Sequence, residues 1–186
     1  TSRLLWAGSA GLLNAIASYG GYSRIVSKKV PIREGPLVMV AGTRRELFKK
    51  QAAIAIDSPR KSLVSTNTVL QIWPDGEESW VVRIDRQNRK VGRAEALERS
   101  ACSLRSGHDL FLWVSSPLNT VHSSPTVAHT LSSFAADALE GASVLPRALL
   151  LVGGDTAYTC LCRLGIKSIA LGGEIEPYVP WGTVNC

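Results

Sequence analysis

The feature that most constrains this chain is an apolar run that ends in two glycines. Ala148–Val152 are all apolar, Pro146 precedes them, and the sequence Gly-Gly-Asp-Thr follows at 153–156. Such a run predicts a strand apolar on both faces, as in a parallel sheet covered by helices. Gly153 and Gly154 permit a sharp turn and the close approach of a ligand. We expect Asp155 to cap the helix that follows.

The helix after this turn is predicted from spacing. Ala157, Leu161 and Leu164 fall on one helical face, and Gly165 ends the helix. A helix N-terminus at the carboxyl end of a buried strand presents unpaired N–H groups and a positive dipole end, which favour phosphate. A tight turn with a capped helix and no ligand is the alternative, because such turns are common in α/β folds.

The same pattern occurs earlier in the chain. Leu37–Ala41 is apolar and leads into Gly42 and Thr43, and a helix is predicted over about 45–56. Residues 3–21 repeat the order of apolar run, glycine-rich turn and helix. Leu110–Val114 is a further buried strand. Together these units predict an α/β fold, a three-layer domain with a mostly parallel central sheet flanked by helices.

Other elements follow from periodicity and turn residues. They are a hairpin of Val64–Leu70 and Trp80–Ile84, a helix over 93–104, a helix from Ser124 whose apolar stripe is core, and a strand at Lys167–Leu171. A rigid loop is predicted over 172–181. If its strand is parallel to the others, the loop leaves the sheet at the same end as the glycine turns, where ligands bind.

Composition excludes several classes of function. The 186 residues are 45% hydrophobic and 19% charged, as expected for one domain with a real core. The basic residues behind the net charge of +6 are scattered along the sequence, so nucleic-acid binding is not predicted. No membrane-length apolar run occurs. The four cysteines lack a CxxC pair and the three histidines lack ligand spacing, which predicts reduced thiols, a cytoplasmic protein and no protein-held metal.

Several catalytic motifs are missing from the sequence. It contains no P-loop, no GxGxxG fingerprint and no GxSxG elbow. A dinucleotide domain and a hydrolase of that type are therefore not supported. Thr43 and Thr156 each follow a glycine at a strand end and could hydrogen-bond phosphate oxygens. Capping of the next helix is the alternative for both residues.

Four stretches together resemble the C-terminal, nucleotide-binding domain of the four-carbon acid sugar kinase family. They are Gly8–Leu12, Val40–Thr43 with Gln51 downstream, Gly153–Ala157 with Leu164 and Gly165 downstream, and Gly173–Pro180. Two residues depart from the family pattern. Thr43 stands in place of the usual serine and keeps the hydroxyl. Tyr178 replaces a glycine, which affects how closely its loop approaches a nucleotide.

The resemblance implies the nucleotide-binding half of an ATP-dependent kinase that phosphorylates threonate- or erythronate-type sugar acids. It places the nucleotide against Thr43, Gly153, Gly154, Asp155 and Thr156, with Asp155 acting through Mg²⁺ or as a helix cap. The catalytic base stays unassigned. A non-catalytic nucleotide-binding module and the dinucleotide-binding domain of an oxidoreductase remain the alternatives.

The resemblance also bears on domain organisation. It implies that residues 1–186 are one nucleotide-binding domain truncated at both ends, without the N-terminal domain that binds most of the sugar acid and without a C-terminal Lys-x-Gly-x-Phe-Gly segment. We therefore expect the chain alone to be inactive. Neither nucleic acid nor a membrane is expected as a partner, and a homodimer is compatible with this interpretation.

Overall fold

The computed structural model describes residues 34–43, 45, 48, 50–51, 65–72, 78–84, 87–115, 124–176 and 179–184, together with residue 19. The chain divides into two units, one of residues 32–167 and one of residues 1–31 with 168–186. The predicted strand, turn and helix within 3–21 lie outside the described residues, apart from Tyr19, which is helical. Trp73, His122, Pro177 and Tyr178 also lie outside them.

In chain order, the named elements of the larger unit are four strands followed by alternating helices and strands. In the larger unit they are β1 (Leu37–Ala41), β2 (Ser65–Ile72), β3 (Glu78–Ile84), β4 (Gln87–Val91), α1 (Arg93–Arg105), β5 (Asp109–Ser115), α2 (Ser124–Ala142), β6 (Ala148–Val152) and α3 (Gly154–Arg163). In the smaller unit they are β7 (Ala170–Glu176) and β8 (Val179–Thr183).

The larger unit is built on a six-stranded sheet of order β4-β3-β2-β5-β1-β6. Its strands β2, β5, β1 and β6 run parallel, whereas β3 and β4 add an antiparallel extension beyond β2. Ala41 of β1 pairs with Trp113 on one side and with Val152 on the other. The carboxyl ends of β5, β1 and β6 therefore lie together at one edge of the sheet. The predicted, mostly parallel sheet is confirmed.

Helices flank this sheet in a three-layer arrangement. Helix α2 packs on β5 and β1 and contacts both α1 and α3, so these three helices lie side by side. The connection from β1 to β2, in which Phe48, Lys50 and Gln51 are helical, crosses the sheet in the direction opposite to the connection from β5 to β6. Right-handed crossovers in opposite directions place their helices on opposite faces. The predicted three-layer α/β architecture is confirmed.

The core lies between the sheet and the row of helices. The predicted stripe of α2 is fully or nearly buried: Val127, Leu131, Phe134, Ala135, Ala138 and Leu139. The Phe134 ring stacks on the buried Trp80 of β3 with 4.2 Å between ring centroids. Pro125 stands in the first turn of α2, where its missing N–H costs no hydrogen bond. The apolar stripe of α2 is therefore core, as its spacing predicts.

A buried aspartate joins the amino ends of three parallel strands. Asp109, at the start of β5, accepts a 2.7 Å hydrogen bond from the backbone N–H of Leu37 in β1. Its carboxylate also pairs with Arg147, just before β6, at 3.4 Å. The Arg147 N–H in turn donates to the Pro36 carbonyl at 2.9 Å. These bonds hold the strands at the edge of the sheet opposite the glycine turns.

Two sequence-based expectations about strands are wrong. The strand predicted at Lys167–Leu171 begins only at Ala170, and β7 pairs with β8 in a separate two-stranded sheet. Much of the predicted loop 172–181 is therefore strand, and it belongs to this separate hairpin. Gly172 permits this hairpin because a side chain there would meet the Trp181 ring across the strand pair. The polar strand β4 was not predicted, since its place depends on pairing with β3.

Strand β6 also differs from its predicted environment. It is the last strand at its end of the described sheet, and Leu150 is 40% exposed. Leu149 and Leu151 pack against the core from one face. The expectation of a strand buried on both faces is therefore wrong, because an apolar run reports side-chain type and not which neighbours cover it.

None of the helices described combines the length and the apolar character that crossing a bilayer requires.

Candidate functional site

Two glycine turns lie side by side at the carboxyl edge of the sheet. Strands β1 and β6 are adjacent and stay in register up to the Ala41–Val152 pair. The Gly42 N–H then donates to the Val152 carbonyl at 3.2 Å, which extends the pairing into the turn. The connections after β1 and after its other neighbour, β5, cross the sheet in opposite directions. In open α/β sheets, a ligand crevice forms at such a reversal.

The second turn opens α3 with a glycine in a conformation that other residues avoid. Gly153 has φ 105° and ψ 131°, is the N-cap of α3, and provides no side-chain cap. The first bond within the helix runs from the Ala157 N–H to the Gly153 carbonyl at 2.8 Å. The preceding amides of Gly154, Asp155 and Thr156 have no acceptor one turn earlier in this helix. They point out of its positive end, where an anion is stabilised.

One prediction about this turn is wrong in detail. Asp155 is not the N-cap, because the N-cap is Gly153 and the helix starts two residues earlier than it would with an aspartate cap at 155. Asp155 lies exposed in the first turn, where its carboxylate still interacts favourably with the helix dipole. Of the two glycines, Gly153 is the constrained one. A Cβ at Gly154 would meet nothing within 4 Å, whereas positive φ belongs to Gly153.

Thr156 is buried between the two turns. It is 3% exposed, and a side chain at Gly42 would collide with its Oγ1 atom. The Thr156 carbonyl accepts a long hydrogen bond of 3.5 Å from the buried Ser132 hydroxyl of α2. Gly153, Gly154 and Asp155 are exposed by contrast. The four predicted site residues of this turn therefore divide into three exposed residues and a buried threonine behind them.

Thr43 lies in the turn that follows β1 and is half-buried. Its Oγ1 accepts a weak, 3.4 Å hydrogen bond from the Arg45 N–H two residues later, the geometry of a threonine that caps a following turn. The hydroxyl hydrogen stays available for a ligand. The structure thus brings Thr43 and Gly153–Thr156 to neighbouring strand ends, as the sequence predicts for a site at this edge.

Sequence reasoning missed one exposed aromatic residue near the turn. Tyr158 is 73% exposed and follows Gly154 by four residues, so both share a face of α3. Helical side chains lean toward the N-terminus, so we expect the Tyr158 ring to lie toward the first turn of α3. A large aromatic residue outside the apolar face formed by Ala157, Leu161 and Leu164 was the signal that could have identified it.

The charged and nucleophilic groups limit the chemistry at this edge. Among the residues described, no three His, Cys, Asp or Glu side chains come together as a metal site. Burial raises the pKa of the Cys160 thiol to about 11, against a smaller lowering effect of its hydrogen bond with Ser132. The thiol is therefore protonated and is not a nucleophile. His108 precedes β5 at the opposite edge of the sheet, and His129 is exposed on α2.

Comparison with known proteins supports the fold. A solved structure of a domain of unknown function from Bordetella bronchiseptica, with bound citrate and as a domain-swapped dimer, superposes with a TM-score of 0.53 at 20% identity. The match covers 82% of this chain but 34% of that one, so the chain spans about a third of its neighbour. At this identity the likeness shows the fold. No curated protein matches the chain.

The family described as the nucleotide-binding C-terminal domain matches residues 38–185, a span that includes both glycine turns. This match covers most of the chain and agrees with the resemblance predicted from the four sequence stretches. The chain therefore belongs to the family of nucleotide-binding C-terminal domains, the domain that its motifs share with four-carbon acid sugar kinases.

Proposed function

We propose that this chain is the nucleotide-binding half of an ATP-dependent kinase that phosphorylates four-carbon sugar acids of the threonate or erythronate type. One observation carries the proposal. Two glycine turns meet at the carboxyl ends of β1 and β6, and one of them opens a helix whose first amides have no helical acceptor. In a nucleotide-binding domain, this edge suits the phosphates of ATP.

The backbone amides at the start of α3 and the Thr43 hydroxyl would bind the phosphates directly. The backbone N–H groups of Gly154, Asp155 and Thr156 would donate to phosphate oxygens, and the open space at Gly154 leaves room for them. Thr43 would donate its hydroxyl hydrogen from the first turn. Phosphoryl transfer needs positioning and charge stabilisation more than covalent help from the protein, so donors of this kind are suited to it.

Asp155 is the residue of the turn that would hold Mg²⁺. Magnesium is typically held by one or two carboxylates together with substrate phosphates and water, so a single exposed carboxylate beside the phosphate site fits this requirement. When bound, the ion would neutralise charge on the phosphates. The carboxylate of Asp155 without the ion would repel them.

The proposal assigns the sugar acid and the catalytic base to a separate N-terminal domain. The 186 residues would then bind nucleotide without turning over substrate. Homodimerisation is compatible with this assignment, and the solved neighbour is itself a domain-swapped dimer. A cytoplasmic location fits the free cysteines Cys102, Cys160 and Cys162.

Calorimetric titration of the purified chain tests this proposal. We expect Mg²⁺–ADP and Mg²⁺–ATP to bind more tightly than NAD, because the site has phosphate donors but the chain lacks a dinucleotide fingerprint. NAD binding as tight as that of ADP would favour the oxidoreductase alternative. Binding of neither ligand would refute the nucleotide site.

A kinase assay with threonate tests the assignment of the catalytic base. We expect no phosphate transfer by the purified chain, since the acid-binding domain is assigned elsewhere. Turnover of threonate would show that the base lies within these residues and would overturn that assignment.

A further inference from the structure

We propose that Thr156 is a positioning residue. Its side chain, wedged against Gly42, sets the distance between the two glycine turns and thereby aims the α3 amides at the ligand. This inference rests on the proposed nucleotide site and deepens it. It assigns Thr156 a role through the shape of its side chain, and it assigns to Gly42 the role of receiving that side chain.

The contact between Gly42 and Thr156 is the physical basis of this proposal. A Cβ added at Gly42 would overlap the Thr156 Oγ1 atom but would stand at ordinary distances of 3.4 Å and 3.7 Å from Thr156 Cβ and Cγ2. One atom of Thr156 therefore occupies the place that a side chain at position 42 would need. Only glycine at 42 permits this approach of strand turn and helix.

Gly42 and Thr156 each make a further hydrogen bond that holds them in place, so neither can move away from the other without cost. Gly42 is tied to β6 through its N–H bond to the Val152 carbonyl at 3.2 Å. Thr156 is tied to α2 through the Ser132 hydroxyl, which donates to the Thr156 carbonyl at 3.5 Å. A larger side chain at position 42 would displace the start of α3 relative to β1, because packed interiors transmit displacements to their neighbours.

The location of the Thr156 hydroxyl argues against a direct role as a ligand. Its oxygen lies in the interior, against Gly42 and 3.5 Å from the place of a Cβ on Gly153. The exposed face of the turn belongs to Gly153, Gly154 and Asp155, while Thr156 is 3% exposed. A phosphate that approaches the exposed face meets the backbone amides first. The backbone N–H of Thr156 donates to the ligand, whereas its side chain sets the distance between the two turns.

Suppression of a steric clash provides the test. Gly42→Ala is expected to weaken Mg²⁺–ADP binding by at least about tenfold, because misplacement of binding groups by a fraction of an ångström to one ångström is costly. Adding Thr156→Ala removes the colliding oxygen, so Gly42→Ala/Thr156→Ala should bind ADP within about threefold of Thr156→Ala alone. Adding Thr156→Val keeps an atom at the same place and should not rescue binding.

Two further variants complete the design. Gly92→Ala is the matched control, because a Cβ there meets nothing within 4 Å and its φ of −71° suits any residue. It should bind ADP like the unmodified chain. Thr156→Val alone removes the hydroxyl but keeps the shape, and its ADP affinity should fall by less than about threefold, compared with about tenfold or more for loss of a hydrogen bond to a charged phosphate.

Each result either supports or overturns the inference. Loss of tenfold or more in Thr156→Val, or absence of rescue in Gly42→Ala/Thr156→Ala, would overturn it. If Gly42→Ala does not fold, recovery of a cooperative melt in the Thr156→Ala double variant, but not in the Thr156→Val one, supports the contact. If the unmodified chain binds no ADP, the proposed function fails, whereas the melts of these variants still test the contact by itself.

Discussion

Adjacent glycines at the start of α3 should respond in opposite ways to the same substitution. Gly153→Ala places a side chain on a residue with φ 105° and ψ 131°, a conformation that non-glycine residues rarely adopt. Gly154→Ala places one at the first position of a helix, where φ is not positive and the space is open. We therefore expect Gly153→Ala to destabilise the fold and Gly154→Ala to be neutral or stabilising.

The magnitude follows from backbone strain at one position and chain entropy at the other. A Cβ on Gly153 finds Thr156 Oγ1 at 3.5 Å and Thr156 Cβ at 3.9 Å, so no collision adds to the strain of about 1–3 kcal/mol. Gly154→Ala should gain about 0.4–1 kcal/mol from the unfolded chain. The two variants should therefore differ by about 1.4–4 kcal/mol, or roughly 3–16 °C in melting temperature for a domain of this size.

Urea unfolding and calorimetric titration with Mg²⁺–ADP together measure the effect. Gly154→Ala should lose ADP affinity while staying folded, because its methyl group stands in the open space assigned to phosphate. Stability and binding would then separate at neighbouring residues. If Gly153→Ala unfolds at the same urea concentration as Gly154→Ala, the backbone argument is wrong. If folded Gly154→Ala keeps its ADP affinity, this turn does not bind the phosphates.

Three further outcomes are expected. Asp109→Asn should cost about 1–2 kcal/mol and Asp109→Ala about 2–4 kcal/mol in urea unfolding, since only the amide keeps an acceptor for the β1 N–H; equal losses would contradict this. A thiol reagent at pH 8 should label Cys102 and Cys162 before Cys160, and equal labelling would refute the burial of Cys160. The protonated Cys160 thiol should contribute fully to stability below its ordinary pKa of 9.0, and this contribution should be lost as the pH rises through about 11. Tyr158→Ala should weaken Mg²⁺–ADP binding by about 1–3 kcal/mol but pyrophosphate binding far less, if the ring contacts the base; equal losses would exclude stacking.

Local sequence patterns predicted the elements well where side-chain periodicity carries the information. The α2 stripe from Val127 to Leu139 is buried, and the apolar runs at Leu37–Ala41 and Ala148–Val152 are strands. Gly165, with φ 71°, follows the end of α3 in the left-handed conformation that its position predicts. These features depend on contacts within a few residues, and for that reason they can be inferred from the chain alone.

Strands that form through pairing between separate segments were not predicted correctly from local patterns. The polar strand Gln87–Val91 forms because β3 offers it hydrogen bonds, not because of its own residue types. The hairpin of β7 and β8 uses residues that were expected to form the end of a strand and a loop. Backbone pairing is satisfied by whichever partner the fold brings near, and a single sequence does not name that partner.

The candidate site shows the same division between local and tertiary information. The motif Gly-Gly-Asp-Thr by itself predicts a turn at the end of a strand and the start of a helix, and it leads us to expect an anion site there. Only the tertiary structure decides that Gly153 carries the positive φ, that Asp155 lies one residue inside the helix, and that the Thr156 side chain is buried against Gly42. The physical reason is that the pairing of β1 with β6 and the packing of α3 on α2 fix where the backbone turns. The paired residues of β1 and β6 are more than a hundred positions apart, and the residues that join α3 to α2 are about twenty-four positions apart.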